Sequence, residues 1–302
     1  MSKLRVKTIV NEEHNIAAYH ITNEKAETVD LFVYDHNINQ KYHFFNENPE
    51  FEIFDISPCG QKIITITDSY VKKERKTKIF DIKSGEVLFE TRDFFGYEAL
   101  FTPKPNLILV RGAIQKKSNK VFVYDTEKKE VLHIMKGEFC LEYGGIDEKN
   151  QTFVYPNSKK KDEILVFDFH TLTERSIALK EKCKVQTVLP LKQGEYFVIN
   201  EKMDAMKIDK VGNISWKTNL DFDELYFAPR GILFEDEIIF DMYEHIRLNL
   251  EAGEITEKEK KVKGRLSKYF GALAVPFGEG FKAIDLKTRE VRDIEVEGLK
   301  VE

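Results

Sequence analysis

A chain of 302 residues, 42% apolar and 33% charged, has room for two ordinary domains or one large all-β domain, and its composition is neither disordered nor membrane-like. Its net charge of −5 is too slight to mark a nucleic-acid binder or an acidic tail. The 3 cysteines, Cys59, Cys140 and Cys183, are odd in number and far apart, which argues against a disulfide framework or a CxxC zinc site and fits reduced thiols in the cytoplasm.

From the amino terminus, Leu4 to Val10 reads as a first strand, and Asn11-Glu12-Glu13 ends it too early for the apolar core of a signal peptide. No later apolar run reaches membrane-spanning length. A phrase of apolar residues closed by an acid or amide then recurs along the chain. It occurs as Phe32-Val33-Tyr34-Asp35, Lys78-Ile79-Phe80-Asp81, Phe122-Val123-Tyr124-Asp125 and Leu165-Val166-Phe167-Asp168. It continues as Met206-Lys207-Ile208-Asp209, Ile246-Arg247-Leu248-Asn249 and Lys282-Ala283-Ile284-Asp285. The spacings are 46, 44, 43, 41, 40 and 36 residues, with a mean near 42.

Each phrase reads as a strand entering a hairpin turn. The carboxylate accepts hydrogen bonds from backbone N–H groups of the turn, and Gly85 or Gly253 supplies the positive φ that closes it. Asn249 keeps the acceptor, and the turn after Asp209 is about one residue shorter. A second phrase, strand then Pro/Gly/Asn turn then strand, precedes each Asp, most clearly at Ile56-Ser57-Pro58-Cys59-Gly60. Each repeat is thus four short antiparallel strands, A to D, which cannot bury both faces alone but can by stacking.

The expected fold is all-β, a seven-bladed β-propeller of four-stranded antiparallel blades forming one domain over 1–302. The expected blades are at about 4–46, 50–92, 96–136, 140–180, 184–219, 223–259 and 263–297. A β-sandwich pair or an α+β fold fits the regular repeats less well. Glu254 to Lys268 is compatible with a charged helix, and blade 6 is the weakest copy of the repeat.

The Ser57-Pro58-x-Gly60 turn before an apolar strand, and the aromatic-Asp endings of the phrases, resemble WD40 and related YVTN-type propellers over the full length. The resemblance is architectural. Tyr-Asp or Phe-Asp stands where WD40 repeats carry Trp-Asp, the lone Trp216 lies elsewhere, and the Gly-His opening is missing. The family implies partner binding without naming a partner.

The sequence offers no catalytic signature. The 7 histidines are scattered, no G-x-S-x-G or Walker A motif occurs, and Gly278-Glu279-Gly280 reads as a hairpin turn between strands. Glu52, Glu98, Glu142 and Glu224 lie near the starts of expected strands A, where a ring of acids would face a propeller channel. In alternating strands the same residues are ordinarily solvated. No metal and no cofactor is expected.

Topology is more informative. In an antiparallel meander the B–C and D–A connections share one end of each blade. The B–C loops of blades 2 to 4 carry Lys72, Lys73, Arg75 and Lys76, then Lys116, Lys117 and Lys120, then Lys159, Lys160 and Lys161. Phe94, Phe95 and Tyr97 lie in the D–A segment after blade 2, and Phe139 and Phe222 in later ones. Lys260, Lys261, Lys263 and Arg265 add charge before blade 7. Such residues suit an acidic or phosphorylated protein partner. Exposed hairpin loops are also commonly lysine-rich for solvation alone. The expectation is a cytoplasmic, non-enzymatic interaction scaffold binding a protein partner. An RNA- or ribosome-associated factor is the first alternative, and a lactonase-like small-molecule enzyme or sensor with a channel site the second. No membrane role and no DNA-binding signature is expected.

Overall fold

The computed structural model describes residues 4–11, 13–23, 28–44, 51–69, 74–114, 117–222, 231–234, 236–241, 244–260, 272–274, 281–284, 288 and 290–294. Among them no helix is long and apolar enough to cross a membrane. The structure is all-β: successive up-and-down antiparallel sheets, the blades of a β-propeller.

The first sheet runs β1 (Leu4–Asn11), β2 (Ile16–Asn23), β3 (Thr28–Asp35), β4 (Gln40–His43). The second runs β5 (Phe51–Ile56), β6 (Lys62–Ser69), β7 (Glu74–Asp81), β8 (Val87–Thr91). The third is β9 (Phe95–Phe101), β10 (Leu107–Ile114), β11 (Lys117–Asp125), β12 (Glu130–Ile134). A short 3-10 turn (Leu141–Tyr143) precedes the fourth: β13 (Gly145–Asp147), β14 (Thr152–Pro156), β15 (Glu163–Asp168), β16 (Thr173–Ala178). The fifth is β17 (Val185–Pro190), β18 (Tyr196–Asn200), β19 (Asp204–Ile208), β20 (Ile214–Asn219). The sixth is β21 (Gly231–Phe234), β22 (Glu237–Asp241), β23 (Glu244–Asn249), β24 (Ile255–Lys260). A three-stranded sheet of β25 (Ala272–Ala274), β26 (Phe281–Ile284) and β27 (Val291–Ile294) follows.

Among the described residues the propeller has 6 four-stranded blades, not the seven expected from the repeats. The last phrase is the most closely spaced, at 36 residues, and it falls on the second strand of a sheet with only 3 strands among the described residues. The stretch of that repeat from 263 to 271, with Lys263 and Arg265, lies outside the described residues, as do Gly278 to Gly280 and Asp285. The helix considered over Glu254 to Lys268 is also corrected at its start. Ile255–Lys260 is strand β24, paired antiparallel with β23. The amino-terminal strand pairs with β2 over its whole length, so it opens the first blade.

The chain divides into two compact units, Met1–Phe101 with Val262–Glu302, and Thr102–Lys261. In the first, β5 packs on β1 and β2, β9 packs on β5 to β7, and β25 lies against β1. Ile16, Ala18, Leu31 and Val33 of the first blade meet Ile53, Ile56 and Ile63 of the second in one buried cluster. In the second unit, β17 packs on β13 to β15.

Strand β18 shows why the inner strands read as unbroken apolar runs: all 5 of its residues are buried. Tyr196 and Val198 join Val154, Val166 and Ile177 of the fourth blade. Phe197 and Ile199 join Ile238, Phe240 and Ile246 of the sixth. Alternate side chains leave opposite faces of a strand, so one blade fills two interblade cores.

The Asp-closed turns hold as the residue chemistry requires. The Asp81 carboxylate accepts the N–H groups of Lys83 (3.0 Å) and Ser84 (2.8 Å), and Asp168 those of His170 (2.7 Å) and Thr171 (2.9 Å). Asn249 does the same for Glu251 and Ala252. A positive-φ residue follows four places on: Asn39, Gly85, Lys129, Leu172 and Gly253. In the shorter turn after Asp209 it comes one residue earlier, at Gly212.

Gly85 and Gly212 separate backbone strain from close approach. A Cβ on Gly85 would meet nothing within 4 Å, whereas one on Gly212 would fall inside the carbonyl oxygen of Ala178. Gly85→Ala is expected to cost about 1 kcal/mol, the left-handed penalty alone. Gly212→Ala should cost clearly more, because the Ala178 backbone must also shift. Thermal or urea unfolding of the two variants checks this, and equal losses or the reverse order would contradict it.

Candidate functional site

The B–C and D–A connections leave the same end of each blade, and in the second unit they build a defined surface. The B–C loop of the fourth blade is held from within. Asn157 Oδ1 accepts the N–H groups of Lys159 (3.0 Å) and Lys160 (3.2 Å). The Asn157 N–H donates to the Glu163 carbonyl (3.0 Å), and the Glu163 N–H to that of Lys160 (3.1 Å). The loop is also tied to its neighbours. The Val185 N–H donates to the Lys161 carbonyl (2.8 Å), and the Glu138 N–H to Ser158 Oγ (3.3 Å). Gly137 (φ 94°) lets the D–A segment approach Ser158 this closely. Lys159, Lys160 and Lys161 are thus exposed on a loop whose backbone is pinned.

A cleft of about 570 Å³ opens between this loop, the segment Glu138–Tyr143 and the start of β17. Arg111, Lys161 and Lys184 line it with a single carboxylate, Glu138. Lys120 binds Glu138 at 2.8 Å, and that hydrogen bond and charge, with Arg111 beyond, hold the carboxyl below the usual range. Phe139 stacks on Tyr155 with ring centroids 4.2 Å apart.

The opposite end of the same unit has the other charge balance. A cleft of about 670 Å³ among the A–B and C–D turns is lined by Asp147, Glu148, Glu195, Asp236 and Glu251 against Lys149, Lys192 and Lys207. Two of those lysines are already paired, Lys207 with Glu195 (2.9 Å) and Lys192 with Asp236 (3.6 Å).

In the first unit the expected residues come together differently. The Arg75 guanidinium lies over Phe95 (4.3 Å to the centroid) and Tyr97 (5.2 Å), and Nη1–H donates to the Gly96 carbonyl (3.2 Å). Phe94 is buried at 4% exposure, while Phe95 is 39% exposed. Lys76 pairs with Glu90 (3.0 Å). In the second unit, Lys160 pairs with Glu163 (2.9 Å), which raises the lysine's pKa. Lys72, Lys73 and Lys116, and the side chain of Lys117, lie outside the described residues.

Lys184, Arg111 and Gln186 are among the lining residues that were not anticipated. Lys184 belongs to a D–A segment, Lys180 to Lys184, whose alternating lysines carried the same topological signal. Arg111 stands out as a charge inside the apolar run Leu107 to Ile114. Gln186 lies where the β17–β18 register shifts between Val185 and Thr187, a bulge that redirects its side chain. Of the acids considered for a channel ring, Glu52 and Glu98 sit in β5 and β9, Glu142 in the 3-10 turn, and Glu224 outside the described residues. No group of three or more metal-ligating side chains converges among the described residues.

A buried polar cluster lies beneath the basic end. Glu174, with a side chain 1% exposed, accepts from Tyr155 Oη (2.6 Å) and the Lys136 N–H (2.9 Å). Lys136 Nζ is 3.3 Å and His133 Nε2 3.7 Å away. Burial pushes the carboxyl pKa up, but the hydrogen bonds from Tyr155 and Lys136 together outweigh it, so the net shift is down. The cluster joins β12 to β14 and β16, fastening the third blade to the fourth.

No protein-family model matches the chain, and no curated protein matches it in sequence.

A carboxylate whose pKa is lowered by folding stabilises the fold above its unfolded value, about 4.3, and that contribution is lost as pH falls through the folded value. Glu174→Gln should therefore melt below wild type at pH 7, and the gap should close below about pH 4. Melting curves of both proteins across this range check it; a gap that is constant or widens in acid would contradict the assignment.

Proposed function

We propose that this protein is a non-enzymatic cytoplasmic scaffold, a propeller of the kind WD40 and YVTN-type chains resemble, that binds an acidic or phosphorylated protein partner through the B–C and D–A ends of its blades. The observation carrying this reading is the loop Asn157–Glu163, which presents Lys159, Lys160 and Lys161 on a hydrogen-bonded backbone beside a cleft with a positive balance. A pinned loop loses little conformational entropy on binding. The contrast with the acid-rich cleft at the other end supports an electrostatically oriented encounter.

A second reading, single-stranded RNA, draws support from Phe95, an exposed ring capped by Arg75 on which a base could stack. The readings differ in their response to salt, since phosphate-backbone binding weakens steeply as counterions are restored.

The test is capture from native lysate by wild type and by a variant with Lys72, Lys73, Lys116, Lys117, Lys159 and Lys160 changed to Glu, with bound protein and RNA both identified. The expected result is a defined protein lost only from the variant, whose circular dichroism and melting stay native. Identical captures would overturn the proposal, and a salt-sensitive RNA lost in place of a protein would establish the second reading.

A further inference from the structure

The cleft at the basic end of the second unit has chemistry that narrows what enters it. Lys161 and Lys184 line it, both exposed, and no carboxylate among the described residues lies within ion-pair distance of either. The backbones of the two lysines are held near each other, because the Val185 N–H donates to the Lys161 carbonyl. The Lys184 N–H is itself anchored on the Glu201 carboxylate. Two free ammonium groups on fixed backbone beside Arg111 make a site for carboxylate or phosphate.

A third lining group asks for something else. Gln186 Oε1 is buried and has no hydrogen-bond partner among the described residues. Such an acceptor is unfavourable until a donor reaches it. Gln186 occupies the β17 bulge, the one place in that strand where the ladder releases a residue. A carboxylate has no proton to give it, whereas a peptide carries backbone N–H donors alongside its acidic side chains.

The cations outside the cleft argue against a nucleic-acid strand. Lys120 and Lys160, in the same unit as the cleft, are each tied to a carboxylate, Glu138 and Glu163. In the loop beside the cleft only Lys159 and Lys161 are left without an ion pair among the described residues, a shorter basic run than a backbone-tracking site uses. A volume of about 570 Å³ accommodates a few side chains rather than a folded surface.

We infer that this cleft binds a short acidic peptide segment, with Lys161 and Lys184 holding its carboxylates and Gln186 Oε1 accepting a backbone N–H. The inference rests on the proposed binding face and gives it a specific pocket and ligand class.

The probe is a capped, fluorescein-labelled glutamate-rich peptide with a central phenylalanine, titrated with the full chain and followed by anisotropy at low salt. Competition by inorganic phosphate and by an oligouridylate of matched charge is measured alongside. Wild type is expected to bind the peptide. The double variant Lys161→Glu/Lys184→Glu should lose at least about tenfold in affinity, the scale of one charge-assisted contact. Gln186→Leu should weaken the peptide while leaving phosphate competition unchanged, a split that general loss of structure would not produce. Lys210→Glu, in a C–D turn at the other end, should bind as wild type.

Absence of peptide binding by wild type, or wild-type affinity in the double variant, would overturn the inference. So would oligouridylate displacing the peptide at equal or lower concentration. If the double variant binds normally while the six-lysine variant still loses its cellular partner, the cleft is wrong and the binding face stands.

Discussion

No blade of this protein can bury its own apolar surface, because its inner strands are apolar on both faces. Strand β18 sends Tyr196 and Val198 into one core and Phe197 and Ile199 into another, so the fifth blade is at once a wall of two interblade layers. A four-stranded sheet exposed on either side would leave several such side chains in water, each worth about 1.5–3 kcal/mol when buried. Stacking is thus a condition of folding, and it dictates where polar groups sit. Within each blade the middle strands are filled by packing, and chemistry is left to the connections at the two ends.

Those ends are built differently. The C–D turns are closed by Asp or Asn side chains and a left-handed residue, with little length to vary. The B–C loop of the fourth blade, residues 157–162, draws its rigidity from neighbouring connections, through Ser158, Lys161 and Val185. The buried Glu174, fastened by Tyr155 and Lys136, joins the third and fourth blades. In the second unit the two ends also differ in charge, one cleft lined by Arg111, Lys161 and Lys184 against Glu138 and the other by 5 carboxylates against 3 lysines. A partner meeting this unit therefore meets a directional surface, although the whole chain carries only −5.

The strand-and-turn grammar was legible because it is local. An Asp ending an apolar strand must find backbone donors within the next three residues, and Asp81, Asp168 and Asp209 do so. The short turn after Asp209 was visible for the same reason. The number of four-stranded blades was not. A repeated phrase counts one strand per copy and says nothing about how many partners that strand finds, and the last, shortest copy belongs to a sheet with three strands among the described residues. The site was only half visible for a related reason. Lysines clustered in loops can be seen in sequence, but whether Glu90 or Glu138 neutralises one of them is a long-range fact. The bulge that turns Gln186 into the cleft is a register shift, and no residue type announces it.

The central claim is that stacked blades fix the basic loop before any partner arrives. Hydrogen exchange of the free protein, read at the amides of Asn157, Glu163 and Val185, tests it most directly, since these donate to Glu163, Lys160 and Lys161 within the loop assembly. The account predicts that they exchange slowly, with protection approaching that of the β18 amides of the buried fifth blade. Exchange at the rate of an unstructured peptide, while β18 stays protected, would show a loop ordered only by what it binds and would contradict the account.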